Sequence, residues 1–123
     1  MIEKWIKRHP QWFAELRYDI EAGHTGWDEL IDAALMTVED VKPENSFRIV
    51  QIKEKFGLLT IHTFHDEGMP DEVSDQISAI FARARQQSAH ICEICSAPAR
   101  VGADQGCMSV RCASCSPQGW VSS

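Results

Sequence analysis

Apolar side chains open the chain at helical spacing: Ile2, Trp5, Ile6, His9, Trp12, Phe13, Leu16 and Ile20 recur every three or four positions. That period predicts a helix burying one aromatic-rich stripe. Pro10 lacks an N–H and fixes its own φ, so it should break or kink this helix, or open a second one at its first turn. "AGH" at 22–24 then ends it. A second stripe follows in Trp27, Leu30, Ile31, Ala34, Leu35 and Val38, which predicts a helix from about Gly26 to Asp40. Thr25 stands three residues before Asp28, a capping-box-like start with carboxylates near the positive helix end.

The period then changes. "SFRIVQIKEKFGLLTIHTF" is rich in β-branched and aromatic residues and is interrupted by Gly57, which predicts two strands turning at "EKFG". Simple alternation places Val50 and Ile52 on one face with Arg48 and Glu54. On the second strand, Leu59, Ile61 and Thr63 alternate with Leu58, Thr60, His62 and Phe64. After a turn at Gly68, a last helix should begin near Pro70, carry Asp71 and Glu72 in its first turn, and bury Val73, Ile77, Ile80, Phe81 and Ala84.

The fold class expected is therefore α+β: helices packed on a small antiparallel hairpin or sheet over residues 1–89. Residues 90–123 should form a zinc-knuckle-like or ribbon-like module. Because the last helix runs almost directly into Cys92, that module should pack on the body.

The module is inferred from its cysteines. All five cysteines of the 123-residue chain lie beyond residue 90. Cys92 and Cys95 form one C-x-x-C pair and Cys112 and Cys115 another, with 16 residues between Cys95 and Cys112. A two-residue spacer lets one turn aim two thiolates at one ion, and two such turns complete a tetrahedron around Zn2+. Four thiolates close the coordination shell, so the zinc expected here is structural. Cys107 is the spare thiol, and it and His90 are neighbours that could substitute as ligands.

Charge divides along the same line. Residues 1–89 hold 10 Lys and Arg against 16 Asp and Glu, whereas the remainder is neutral, which places the whole net charge of −6 on the body. Eight acids and one base, Lys42, lie between Asp19 and Glu44. Asp28, Glu29, Asp32, Glu39 and Asp40 in that stretch, with Asp66, Glu67, Asp71 and Glu72 further on, are the candidate partner-binding residues. Such a field repels a phosphate backbone and attracts a basic protein surface. No apolar run approaches a bilayer span, and "MIEKWIKRHP" lacks the apolar core of a secretory signal. The expected setting is the cytoplasm, where clustered thiols are metal ligands more often than disulfides.

Other constellations carry less. His62 and His65 beside Asp66 and Glu67 could suggest a general base or metal site, but a three-residue separation on a strand points them to opposite faces. His9 reads as a satisfied core histidine and His24 as a loop residue. Walker, G-x-S-x-G and H-E-x-x-H patterns are absent, and "SAPARVGADQGCMSVR" between the cysteine pairs holds no histidine. No enzyme is expected.

Two stretches together, "QIKEKFGLLTIHTF" and "ICEICSAPARVG", resemble a group of small proteins encoded in bacterial chromosomes, prophages and phages. The resemblance covers roughly residues 26–115. It implies a tryptophan-led helix ahead of a KEKFG hairpin, a helix after it, and a C-x-x-C-x-A-P segment opening a terminal metal module. It implies no reaction. The group often ends its second pair in histidine where this chain has Cys115, so the resemblance carries Cys92, Cys95 and Cys112, while Cys115 rests on spacing.

The mobile-element setting that the resemblance implies, joined to the acidic body, leads to the expectation of a non-enzymatic protein-binding module. An anti-CRISPR-like inhibitor of a bacterial defence complex is its specific form. The alternative is a nucleic-acid-binding zinc ribbon using Arg48, Lys53, Lys55, Arg100 and Arg111, with Phe56 or Trp120 stacking on bases. Four tryptophans leave an apolar interface between copies open.

Overall fold

The computed structural model describes residues 1–43 and 47–122; Glu44, one of the acids counted above, lies outside them. Nine elements follow in order: α1 (Ile2–Arg8), β1 (Arg17–Asp19), α2 (Asp28–Val41), β2 (Arg48–Lys55), β3 (Leu58–Phe64), α3 (Asp71–Ser88), β4 (Arg100–Asp104), β5 (Cys107–Arg111) and β6 (Val121–Ser122). They form two three-stranded sheets, β1-β2-β3 and β5-β4-β6. The protein is α+β, with its cysteine cluster in the C-terminal part.

The opening stripe is helical only to Arg8. Beyond Pro10 the chain makes turns and then a short strand, β1, which pairs in parallel with β2 through Arg17↔Gln51 and Asp19↔Lys53. The first sheet is thus mixed, and Tyr18 in β1, with Leu16 and Ile20 flanking the strand, packs on the core. Three residues of strand leave too little pattern to read, and the partner that stabilises them is more than thirty positions away.

His9 is fixed where the helix ends. Its ring stacks on that of Trp12, with centroids 3.7 Å apart and planes nearly parallel, and its Nε2 is 2.6 Å from Glu39 Oε2. Trp12 meets Phe47 edge-on at 5.4 Å, and its carbonyl accepts from the N–H of Ile49, which ties the turn to the start of β2.

Helix α2 begins at Asp28, two residues later than the stripe suggested. Its N-cap is Trp27, and the capping box does not form: no side chain caps the helix, and the carbonyl of Thr25 accepts from the N–H of Asp28. At the other end Lys42 takes the left-handed conformation, its N–H bonded to the carbonyls of Val38 and Glu39.

The hairpin turns through Phe56 and Gly57, both at positive φ, as a two-residue turn matched to strand twist requires. Alternation along β2 fails in one place. A register shift between Ile49 and Gln51 marks a bulge at Val50, so Ile49 and Ile52 both reach the core while Val50 is only half-buried. α3 packs on β3 and on α2, and its Ile77, Phe81 and Ala84 are buried. Ser88 is fully buried and satisfied: its hydroxyl donates to the carbonyl of Arg85 and accepts from the N–H of Leu59.

Trp5, Trp12 and Trp27 are buried in this core, and Trp120 is half-buried. Among the described residues, no helix is long and apolar enough to cross a membrane.

Candidate metal centre

Two tight turns build the site. After α3, Ile91 pairs with Pro98 in a single bridge, and the segment between them folds back on itself. The N–H of Cys92 donates to the carbonyl of Ala97 at 2.8 Å, and that of Ser96 to the carbonyl of Cys92 at 3.0 Å. Ser96, at a φ of 72°, closes the turn.

The second turn follows β5. There the N–H of Cys115 donates to the carbonyl of Cys112 at 3.2 Å, and the Ser116 hydroxyl donates to the same carbonyl at 2.7 Å. Strands β4 and β5 run antiparallel from Arg100↔Arg111 to Asp104↔Cys107 and bring the second turn back to the first.

The sulfurs of Cys92, Cys95, Cys112 and Cys115 all lie within 4.8 Å of one another. Cys95 and Cys112, from different turns, are 3.6 Å apart. A tetrahedron of Zn–S bonds of about 2.3 Å has sulfurs roughly 3.8 Å apart, so donor type, number and spacing suit a metal ion of this kind. Cys107 and His90 are not in the group. Cys107 sits on β5 opposite Asp104, and His90 is exposed.

Electrostatics point the same way. Burial pushes the Cys92 thiol up, but the N–H groups of Cys95, Cys112 and Ile94 more than offset this and bring it down to about 7. Cys115 is pushed up to about 12, chiefly by its hydrogen bonds to the thiols of Cys112 and Cys95. Thiols this close keep protons between them, and a divalent cation takes the place of those protons. Cys92 is fully buried, while Cys95 is exposed and the other two are half-buried.

The support around the ligands was not foreseen. Glu93, inside the first C-x-x-C, is buried to 7% exposure, and its Oε1 accepts from the N–H of Val110 at 3.2 Å and from Arg111 Nε at 3.0 Å. Arg111 also donates to the carbonyl of Cys115 at 3.3 Å. One buried ion pair therefore ties the first turn to the second. The sequence carries the signal, since Glu93 follows one ligand and Arg111 precedes another, but nothing in their spacing pairs the two. Buried charges of this kind persist when paired and fully hydrogen-bonded.

The acids expected to meet a partner fall into two sets. Asp32 accepts from Trp5 Nε1 at 2.8 Å and lies 2.7 Å from Lys4 Nζ; these two hydrogen bonds hold its carboxyl below the usual range. Glu39 lies 2.6 Å from both Arg8 and His9. These two carboxylates join α2 to α1. Asp28 is half-buried, and burial raises its carboxyl. Glu29 and Asp40 are exposed on α2.

Asp66, Glu67, Asp71, Glu72 and the adjacent Asp75 are all exposed, and among the described residues none forms an ion pair. His65 is occupied locally, with Nδ1 against the carbonyl of Asp66 and Nε2 against the Ser74 hydroxyl. Trp120 is a packing residue: its ring covers Gly102, where a Cβ would lie 2.3 Å away, and its Nε1 donates to the Ser109 hydroxyl.

No protein-family model, curated protein or solved structure matches the chain. What the site shows by itself is a C-terminal four-cysteine cluster compatible with metal binding.

Proposed function

We propose that the chain is a zinc-stabilised protein-binding module that occupies a basic surface of its partner with the acidic strip from Asp66 to Asp75. The observation supporting this reading is that five carboxylates on the α3 approach and its first turns are exposed and free of ion pairs among the described residues. The α2 carboxylates Asp32 and Glu39, in contrast, are engaged within the fold. Unpaired surface charge costs the fold little and steers association with the opposite sign.

Zinc has a structural part in this reading, since four thiolates leave no open position for a substrate. Cys92, Cys95, Cys112 and Cys115 would hold it. A nucleic-acid-binding defence complex, blocked at its basic channel in the manner of an anti-CRISPR protein, is the partner class that the charge fits.

The test is affinity capture of the tagged chain from a bacterial lysate, with and without nuclease, alongside the triple variant Asp66→Lys, Asp71→Lys, Glu72→Lys. The reading expects a stoichiometric protein that survives nuclease, weakens with salt and is lost by the triple variant. Recovery of nucleic acid, with proteins lost on nuclease treatment, would replace it with the zinc-ribbon alternative. Equal capture by the triple variant would remove the strip from the interface.

A further inference from the structure

The first cysteine turn is gripped through its backbone and through Ser96 by the loop that leads into α2. The N–H of Gly26 donates to the carbonyl of Glu93 at 2.9 Å, and the Ser96 hydroxyl donates to the carbonyl of Gly26 at 2.7 Å. Trp27 Nε1 donates to the carbonyl of Ile91 at 2.9 Å. The approach is so close that a Cβ on Gly26 would lie 1.9 Å from the carbonyl oxygen of Cys92. His24 Nδ1 stands 3.6 Å from the second carboxylate oxygen of Glu93.

The partners on the module side are Ile91, Glu93 and Ser96, which flank or belong to the turn holding Cys92 and Cys95. The same loop also supplies the start of α2, a helix with no side-chain N-cap. An uncapped helix end needs its first turn held by something else. Here the module holds the two residues that precede the helix, Gly26 through its N–H and carbonyl and Trp27 through its side chain.

We infer that Gly26 and Trp27 are positioning residues of the metal centre, and that metal occupancy in turn governs the order of residues 24–31. The conformation of the turn 92–95 is fixed from two directions, by the ion through its sulfurs and by the loop through its carbonyls. Two interactions that select the same conformation support each other, and the coupling is reciprocal. Weakening the loop lowers metal affinity, and removing the metal loosens the start of α2. The inference rests on the reading of the four cysteines as a metal site and reaches into the body, where no ligand lies.

The experiment uses the full chain, stripped of metal under reducing conditions and titrated with Co2+, whose thiolate absorption reports four-sulfur binding. Hydrogen exchange is then compared with and without metal. Trp27→Phe keeps a large buried ring and removes only the Nε1 donor; it should weaken cobalt binding several-fold. Gly26→Ala, which must displace the turn, should weaken it by roughly tenfold or more, as losses around metal ligands commonly do.

In the wild type, metal removal should speed exchange at 26–31 at least tenfold and leave residues 77–84 in α3 unchanged. Cobalt bound with wild-type affinity by Trp27→Phe, or protection at 26–31 indifferent to metal, would overturn the coupling and leave the metal site standing. A wild-type chain giving no thiolate absorption would overturn both. The exchange comparison needs no variant, so the inference stays testable if Gly26→Ala fails to fold.

Discussion

Up to Ser88, the interior is filled by large apolar side chains such as Trp5, Ile31, Leu35, Phe47, Ile52 and Leu59, each at most 2% exposed. From Ile91 onward, the buried hydrophobic residues are Cys92 and Val110, and one of these carries a candidate ligand. Body and module thus meet the same requirement by different means. Burial of a Leu or Ile side chain contributes about 1.5–3 kcal/mol, and the body has enough of them to offset its conformational entropy. A segment of some thirty residues with so small an interior does not, and small units of this kind depend on a metal or another cross-link. The buried Glu93–Arg111 pair orients the second region but does not substitute for a core.

Substitutions that strike only one region would sharpen this contrast. Leu35→Ala should have the largest effect, removing a fully buried side chain at the centre of α2. We expect a loss of about 2–5 kcal/mol in denaturant unfolding. Metal stoichiometry in the folded protein should stay unchanged, and its loss would show that the metal centre depends on the helix core as well as on Gly26 and Trp27.

Glu93→Gln should cost less, about 1–3 kcal/mol, because it keeps the shape but leaves Arg111 without its charge partner. Its mark should be a raised metal dissociation constant, read by competition with a chelator, with little change in α3. A purely apolar account of the module predicts no change in metal affinity.

Glu54→Gln is the smallest and has the opposite sign. Burial first, and then the charge of Glu93, raises the Glu54 carboxyl above its ordinary value. An acid raised on folding favours the native state in its protonated form. Its contribution is fully present below the unfolded value and is lost as pH rises through the folded one. Gln at 54 should therefore raise the Tm at pH 7 by about 1–2 °C. The gain over wild type should vanish near pH 4. A gain that persisted at pH 4 would locate its origin elsewhere than in the carboxylate charge.

The sequence made the long elements legible because their cause is local. The stripes of α2 and α3 and the "EKFG" turn can be read in windows of under twenty residues, and the cysteine spacing in two short ones. What escaped depends on distant partners. β1 exists because β2 lies beside it, and the bulge at Val50 exists because Ile49 and Ile52 must both reach the core. At the site, the four ligands were legible, whereas their hold on the body was not. Gly26 precedes Cys92 by 66 positions, and a glycine near a helix start has many commoner meanings. The two sets of acids were indistinguishable in the sequence, since neither composition nor charge tells which carboxylates α1 will claim.

The tip of the first hairpin looks like the natural place to splice in a label, because Phe56 is two-thirds exposed there. The turn has no slack. A Cβ on Gly57 would lie 3.1 Å from the backbone nitrogen of Ser109 and 3.3 Å from Met108, so this tip abuts the strand that delivers Cys112. An extra residue at 56–57 would act as a wedge between the two sheets, and its damage would surface at the sulfurs. Gly23 and Gly106, whose surroundings within 4 Å are open, are the positions where the chain has room to lengthen.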